Sequence, residues 1–296
     1  CPVQGCKSEK AYADECDLGH QFDPADLIKP TSSLTGCVPE LRPVRNWYFD
    51  LPNFREQLGE IAENLEADPE VRPVVSQTAK EFLVPPVIYI KNELEADYRA
   101  IESKLPAHEF HAAEGNKQSF ELEFANIESR DAARDELTAA GIRFRTGKAL
   151  VPFRISGNVE WGVKVPEMEG VDDLTVWCWP ESLWAPVSFS ATALEARGEE
   201  LSAVRDWWCS PDARVYQFIG QDNLYFYGVA QPALWMALES DNAEVAYPQP
   251  GDLQQTTLIA NHHILFGKVK ASSSGAVKPP SADQLLEHYT VDQLRA

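Results

Sequence analysis

The sequence predicts an α/β protein, and three patterns support this fold class. Residues 54–65 carry apolar side chains at helical spacing, with acidic residues on the other face. Phe218 and Ile219 end a β-rich stretch at Gly220, and Asp222 follows two residues later. A second β-rich stretch lies at residues 258–266. Strands that alternate with helices in this way indicate an α/β domain that includes residues 199–259.

Residues 53–83 are predicted to form two helices. In the first, Phe54, Leu58, Ile61 and Leu65 follow the i, i+4, i+7, i+11 spacing of one helix face. Two prolines, at positions 69 and 73, mark a break between the helices. The second helix is expected from about residue 74 to residue 83, because two further prolines follow. No chemistry is assigned to this segment.

Residues 86–151 are predicted to form a small α+β insert. Strands are expected at 87–90 and 120–124, and helices at 93–103 and from Ser129 to about Ala140. Ser129 is the predicted cap of the second helix, and Gly141 its end. Residues 142–145 and 149–151 are expected to form a hairpin. The insert is interpreted as a structural embellishment, with a partner contact as the alternative.

Composition limits the classes of function. The chain has 296 residues and a formal net charge of −20, and it contains no run of about 18 apolar residues. No signal peptide is visible, so a cytoplasmic protein without a membrane span is expected. The acidity, without a Lys/Arg cluster, counts against a large nucleic-acid footprint in this portion. A high-salt habitat would produce the same composition.

Three of the six cysteines lie in the first sixteen residues, which indicates a metal site rather than a disulfide framework. Cys1, Cys6, Cys16 and His20 follow the spacing Cys-x4-Cys-x9-Cys-x3-His. Two pairs of soft ligands at such spacing close a tetrahedral zinc site, and the metal would stabilise a segment too polar to fold by burial alone. The alternative is a set of free thiols and a surface histidine.

A strand, a turn at Gly267 and a predicted mobile loop make up residues 260–275. The loop carries Lys270, Ser272 and Ser274, whose ammonium and hydroxyl groups suit closure over a phosphate. The alternative is a solvated linker. Upstream, Gly220 lets a ligand approach the backbone closely, and an acid at a strand's carboxyl end accepts from a ribose hydroxyl.

Several segments resemble methionyl-tRNA synthetases. Residues 218–222 (Phe-Ile-Gly-Gln-Asp) are similar to that family's Phe-Ile-Gly-Lys-Asp, and residues 260–275 to its Ala-Asn-Gly strand and Lys-Met-Ser-Lys-Ser loop. Residues 1–54 resemble its zinc-binding connective insert, through Cys-Pro at the start and Asp-Leu-Pro-x-Phe at the end. The partial matches occur in the family's order over residues 1–83 and 150–296.

The resemblance implies roles for individual residues. ATP would be bound by Gly220, Asp222, Lys270, Ser272 and Ser274, with Lys270 acting on the phosphates as the catalytic cation. The methionine pocket would be walled by Trp177, Ala185, Pro186, Phe189 and Tyr227, although the tryptophans here suit an ordinary core equally well. The chain departs from the family at Tyr227, Ser156 and Ser273, where the family has a histidine, a charged pair and a second loop lysine.

The resemblance also predicts a domain organisation. Five segments are expected: a zinc-knuckle connective module (1–52), a helical connective segment (53–85), the α+β insert (86–151), the second half of a Rossmann-type catalytic domain (152–275) and the start of a helical stem (276–296). The start at Cys1 and the end at Ala296 indicate an excerpt. Because it lacks the family's His-Ile-Gly-His half of the nucleotide site, residues 1–296 alone are expected to be inactive.

The predicted function is ATP-dependent activation of an amino acid, methionine by resemblance, followed by transfer to tRNA. ATP with Mg²⁺, and zinc, are the implied cofactors. Two alternatives stay open: a paralogue that activates an amino acid without charging tRNA, and a non-catalytic zinc-binding interaction protein. Contact with tRNA is likewise an alternative role for the α+β insert.

Overall fold

The computed structural model describes residues 1–3, 5–13, 15–16, 24–159, 161–240, 247–262, 265–266, 269–270 and 279–295. In this part of the chain the strands are β1 (Ala11–Tyr12), β2 (Glu15–Cys16), β3 (Tyr48–Phe49), β4 (Val87–Lys91), β5 (His108–His111), β6 (Ser119–Phe124), β7 (Phe144–Thr146), β8 (Phe153–Arg154), β9 (Ser156–Gly157), β10 (Thr175–Val176), β11 (Tyr216–Gly220), β12 (Thr257–Asn261), β13 (Leu265–Phe266) and β14 (Val269–Lys270). The helices are α1 (Arg55–Ala67), α2 (Pro73–Leu83), α3 (Glu95–Ile101), α4 (Ile127–Ala139), α5 (Cys178–Ala196), α6 (Val204–Trp208), α7 (Gln231–Glu239), α8 (Ala282–Leu286) and α9 (Val291–Arg295). This mixture of helices and strands confirms the α/β class.

The chain divides into two compact units, Arg45–Asn261 and a unit made of Cys1–Val44 with His262–Ala296. In the larger unit, α1 and α2 are the two helices predicted on either side of the proline break. In the smaller unit, α8 begins with a capping box between Ser281 and Gln284. No helix among the described residues combines the length and the apolar character needed to cross a membrane.

A parallel βαβ unit lies at the centre of the larger unit. Strand β11 pairs in parallel with β12, from Tyr216 opposite Thr257 to Gly220 opposite Asn261. A short π-helical segment (Phe226–Ala230) and α7 make the crossover between the two strands. A parallel pair needs such a crossover, because its two strands begin at the same edge of the sheet.

Two buried glutamines tie this βαβ unit together. The Gln217 side-chain amide donates to Gln231 Oε1 at 2.7 Å and to Thr256 Oγ1 at 2.8 Å. Gln231, 1 % exposed, donates in turn to the Leu183 carbonyl of α5 at 2.8 Å. Buried amides are tolerated when their donors and acceptors are satisfied, so this network links β11, α7 and α5 at defined positions.

Residues 86–147 form a four-stranded antiparallel sheet with strand order β5-β6-β4-β7. The chain order β4-α3-β5-β6-α4-β7 and this strand order are those of a ferredoxin-like split βαβ arrangement. Side chains of the inner sheet face share one core with both helices: Ile88, Ile90, Phe120, Leu122 and Phe124 from the strands, with Tyr98, Ala133 and Leu137 from the helices.

Three local predictions in this segment are wrong. The hairpin of 142–145 with 149–151 does not form, because β7 pairs with β4 instead. Strand β5 was not predicted, since only one of its four residues is strongly apolar. Helix α4 is capped by Asn126, whose Oδ1 accepts from the Ser129 backbone N–H at 2.8 Å. Gly141 does end α4, with φ +73°, as predicted.

Strand β10 does not join β11 and β12, and pairs antiparallel with β9. Thr175 is fully buried there and its hydroxyl donates to the Gly157 and Val159 carbonyls, at 3.3 and 3.2 Å. These contacts hold β10 in a two-stranded sheet with β9. Trp177, which follows β10, is the N-cap residue of α5.

At the core of the ferredoxin-like segment, three polar side chains are linked by hydrogen bonds. The buried Tyr98 hydroxyl lies 2.9 Å from Glu102 Oε1 and 2.8 Å from His108 Nε2. Burial, reinforced by the Glu102 carboxylate, raises the pKa of Tyr98 well above its usual value. The hydrogen bond from Tyr98, followed by that from Arg99, lowers the pKa of Glu102.

Replacing Glu102 by Gln should therefore change the pH dependence of stability. A lowered folded-state pKa contributes stability that is present above the unfolded carboxyl pKa, about 4.3, and is lost as the pH falls through the folded value. We expect the urea midpoint of Glu102→Gln to lie below that of the parent at pH 6, and the difference to shrink below about pH 4. Glu136→Gln, at an exposed position of α4, is the control. A difference that does not vary with pH would contradict this assignment.

Candidate functional site

The carboxyl ends of β11 and β12 lie side by side and form the first part of the site. Gly220 pairs with Asn261 at this edge, and Asp222 follows on a short 3₁₀ turn, Gln221–Asn223, with its side chain exposed. A Cβ built at Gly220 would lie only 2.5 Å from Asp222 Oδ1. Gly220 is therefore required for the position of the Asp222 carboxylate. Ligands of open α/β sheets bind at such a strand edge.

Arg72 holds this edge from the start of α2. Its Nη1 donates to the Ala260 carbonyl at 3.1 Å and to Asn261 Oδ1 at 2.8 Å. The sequence analysis included Asn261 only as part of the Ala-Asn pair of the family motif, with no role of its own. It did not identify Arg72, because an arginine between two prolines carries no signal.

An aromatic layer lies behind this edge. The rings of Trp179 and Phe226 stack with centroids 3.9 Å apart and an interplanar angle of 4°. Phe153 and Tyr225 meet Phe226 edge-on, at 6.2 and 5.4 Å. Burial raises the pKa of Tyr225 to about 12, so its phenol stays neutral at pH 7. Apolar aromatic walls of this kind suit a hydrophobic or thioether side chain.

The residues predicted to wall an amino-acid pocket are spread over several places. Trp177 precedes α5 with its ring 4.3 Å from the Arg154 guanidinium carbon. Ala185 and Pro186 are half-buried within α5, whereas Phe189 is 71 % exposed. Tyr227 lies in the π-helical segment. Within the described residues, Trp177 and Tyr227 are therefore on elements next to the aromatic layer, and Phe189 faces outward.

Tyr227 lines a narrow cavity of about 20 Å³ between α1, the crossover and β12. Leu65, Gln231 and Trp235 contribute to the same walls. The Trp235 indole N–H is buried and has no hydrogen-bond partner among the described residues. The cavity is too small for an amino acid as it stands, so this wall would have to repack to admit one.

The predicted phosphate loop is described only at its start. Strands β13 and β14 pair as a hairpin, with Leu265 opposite Lys270 and Phe266 opposite Val269. The backbone of Lys270 therefore lies at the hairpin end, while its side chain lies outside the described part. The turn at Gly267 and the loop residues Ser272 and Ser274 also fall outside the described residues.

Three of the four predicted metal ligands lie together. The Sγ atoms of Cys1, Cys6 and Cys16 are all within 4.8 Å of one another, and those of Cys6 and Cys16 are 4.0 Å apart. The β1–β2 hairpin places Cys16, and a turn at Gly5, with φ +82°, places Cys6. The fourth predicted ligand, His20, lies outside the described residues. The three thiols of this cysteine cluster lie close enough together to contact one ion.

Comparison with known proteins gives matches over almost the whole chain. The family model for class I tRNA synthetases (M) matches residues 1–88 and 128–296. Among the relatives, the methionine–tRNA ligase of Chloroflexus aggregans is 26 % identical over 304 residues, which cover 100 % of this chain and 39 % of the relative. That of Korarchaeum cryptofilum is 28 % identical over 238 residues, covering 80 % and 30 %.

The matches have two limits. The chain spans about 39 % of the length of the Chloroflexus relative, so it corresponds to a part of that protein. The family model also leaves residues 89–127 unmatched, which carry most of β4 together with α3, β5 and β6. On both sides of that gap the match is continuous and includes the cysteine cluster and the strand edge at Gly220. The chain belongs to the tRNA synthetases class I (M) family.

Proposed function

We propose that the protein containing this chain activates an amino acid with ATP and transfers it to tRNA, as a methionine–tRNA ligase does. The observation that carries the proposal is the family match that runs through the Gly220–Asn261 strand edge. Methionine is proposed as the amino acid because the relatives are named methionine–tRNA ligases.

The strand edge is proposed to hold ATP. The Asp222 carboxylate, held beside Gly220, would accept hydrogen bonds from the ribose hydroxyls. Lys270, Ser272 and Ser274 would contact the phosphates, and Mg²⁺, when bound with ATP, would neutralise phosphate charge. The amino-acid carboxylate then attacks the α-phosphorus and pyrophosphate leaves. A terminal tRNA hydroxyl next attacks the acyl carbon, and AMP leaves.

Trp177, Ala185, Pro186, Phe189 and Tyr227 stay the proposed amino-acid pocket. The Trp179–Phe226 stack supports a pocket in this region, because a thioether gains from contact with aromatic rings. The outward position of Phe189 means that it would contribute only after a rearrangement of α5.

The cysteine cluster is proposed to bind zinc, with His20 as the fourth ligand. A tetrahedral ion about 2.3 Å from each sulfur separates the sulfurs by about 3.8 Å, which is close to the observed 4.0 Å. In the described part of residues 1–44, Cys16 is the one buried hydrophobic side chain. With so little apolar burial, this segment would depend on the metal for its fold.

Metal analysis tests the zinc proposal. Protein purified without chelator should contain about one zinc per chain, and Cys16→Ala should lose it. Cys37→Ala is the matched control, because Cys37 is exposed and lies outside the cluster. A zinc content near zero in the parent protein, or equal loss in the control, would refute the assignment.

A second candidate is a paralogue that activates an amino acid without charging tRNA. It is motivated by Ser156, where the resemblance places part of a charged pair of the family. Ser156 is buried, accepts from the Trp47 backbone N–H at 2.8 Å and donates to Asn46 Oδ1 at 3.0 Å. The position is thus part of a structural hydrogen-bond network and carries no charge.

Isotope exchange between pyrophosphate and ATP separates these functions. We expect the protein, as its gene encodes it, to catalyse methionine-dependent exchange, and to attach methionine to tRNA when tRNA is added. Exchange without attachment would favour the paralogue. Absence of exchange with any amino acid would favour a non-catalytic zinc-binding interaction protein.

A further inference from the structure

The outer face of the ferredoxin-like sheet, opposite α3 and α4, carries two open clefts. Their volumes are about 450 and 500 Å³, and they lie over β4, β7 and the beginning of β6. Tyr89, on the central strand β4, lines both clefts, together with Lys91, Ser119 and Arg145. The two clefts therefore meet at the half-exposed ring of Tyr89 and form one continuous surface around it.

Positive charge is concentrated on this surface. Arg143 lines the first cleft and Lys117 the second, which with Lys91 and Arg145 makes four cations. The carboxylates in the two linings are Glu93 and Glu121. Since the whole chain has a net charge of −20, a surface with four cations and two carboxylates differs in sign from the rest. Surfaces of this kind attract phosphates, and the force depends on ionic strength.

Both lysines of this surface form ion pairs with its carboxylates. Lys91 Nζ lies 3.7 Å from Glu93 Oε1, and both side chains are largely exposed. Lys117 forms a shorter pair with Glu121, at 2.9 Å, again at the surface. Exposed pairs contribute little free energy, so a phosphate that neutralises these lysines can replace them at little cost.

Tyr89 offers a half-exposed ring to a planar ligand. The Arg145 guanidinium carbon lies 5.9 Å from the ring centroid. A Cβ at Gly147 would come within 3.3 Å of the ring, so the glycine allows the backbone to support one edge of the ring. Aromatic rings that lie between cations are typical of surfaces that bind single-stranded nucleic acid.

The part of the same sheet face that β5 and the middle of β6 form is acidic. Glu109 and Glu123 are directly opposite each other on β5 and β6, and His111 Nε2 lies 3.5 Å from Glu123 Oε2. Carboxylates in this position repel phosphates. A polyanion would therefore be restricted to the surface around Tyr89, away from Glu109 and Glu123.

We propose that the Tyr89 face, defined by Tyr89, Lys91, Lys117, Arg143 and Arg145, binds single-stranded RNA. A base stacks on Tyr89, and the four cations contact the phosphates on either side. In the sequence, the chain's acidity and its lack of a Lys/Arg cluster count against a large nucleic-acid footprint. The cations of the Tyr89 face do not appear as a cluster there, because they are spread over residues 91–145 and come together only in the folded sheet. The inference does not depend on the proposed function, since binding needs neither ATP nor an amino acid.

Fluorescence anisotropy with a labelled single-stranded 12-nucleotide oligouridylate tests the charges. We expect residues 1–296 to bind it in a salt-dependent manner. The double variant Lys91→Glu/Arg145→Glu should weaken binding roughly tenfold or more, and each lost phosphate contact should reduce the slope of log K against log salt by about 0.7. Lys104→Glu is the matched control, because Lys104 is exposed and lines neither cleft.

Variants of the aromatic ring test the stacking. Tyr89→Ala should weaken binding roughly 5- to 100-fold, while Tyr89→Phe keeps it. Thermal unfolding of each variant shows whether the fold is intact, and Lys91→Gln/Arg145→Gln replaces any charge-reversal variant that unfolds. No binding by the parent chain, equal loss in Lys104→Glu, or equal competition by a 12-base-pair RNA duplex would overturn the proposal.

Discussion

Lys270→Ala is expected to reduce the rate of adenylate formation by roughly 10²- to 10³-fold, the scale for removing one preorganised charge donor. The dissociation constant of ATP should change far less. The resemblance places Lys270 at the lysine of the family's signature loop, where a cation meets the negative charge that develops on the transferring phosphoryl group. An interaction stronger in the transition state than in the ground state changes the rate more than the affinity.

Pre-steady-state adenylate formation at varied ATP concentration separates the two effects. Lys268→Ala is the matched control, since it removes the same charge two residues earlier and should have a smaller effect on both constants. A Lys270→Ala variant with weaker ATP binding and an unchanged rate at saturating ATP would make Lys270 a simple binding residue. No change in either constant would make the segment a linker.

Gly220→Ala is expected to lower kcat/KM for ATP roughly 10- to 100-fold, the scale for losing a hydrogen bond to a charged group. The added Cβ would lie 2.5 Å from Asp222 Oδ1, so the carboxylate must turn away from the position proposed for the ribose. Gly59→Ala is the control, because a Cβ there meets nothing within 4 Å and a helical glycine is replaced by a better helix former.

A double-mutant cycle shows whether Gly220 acts through Asp222. If it does, Gly220→Ala/Asp222→Ala should be no worse than Asp222→Ala alone. Additive losses would mean that the methyl group disturbs the strand edge itself, for example the pairing of Gly220 with Asn261.

Local patterns in the sequence predicted α1, α2, α3 and α4, whereas α5, α6 and α7 were not predicted. Helix α1 is amphipathic over three turns, and the prolines that separate it from α2 act within a few residues, so both were read from short stretches. The glycine that ends α4 is equally local. Strand β7 was placed in the wrong pair because its partner, β4, lies more than fifty residues away. A hairpin with the next apolar residues was the nearest alternative, and sequence proximity does not decide strand pairing.

The candidate site shows the same division. Gly220 and Asp222 were recognised from one motif, and the structure places them at the end of a parallel strand. Arg72 reaches that edge from 188 residues away, which no local pattern indicates. The cations of the Tyr89 face likewise come from three separate places in the sequence, near residues 91, 117 and 143–145. Side chains that meet only through folding are therefore the part that sequence reasoning missed.

The first and last residues of the ferredoxin-like segment lie next to each other. The Gly147 backbone N–H donates to the Val87 carbonyl at 2.9 Å, so the first and last strands begin and end side by side. The segment therefore connects the elements on either side of it over the same short distance that a tight turn would. Because its ends are already held together, it adds little to the entropic cost of closing that connection. Such a segment can be gained, exchanged or lost during evolution without moving the elements on either side. The gap in the family match at residues 89–127 falls within it, and the match resumes over α4 and β7 of the same segment.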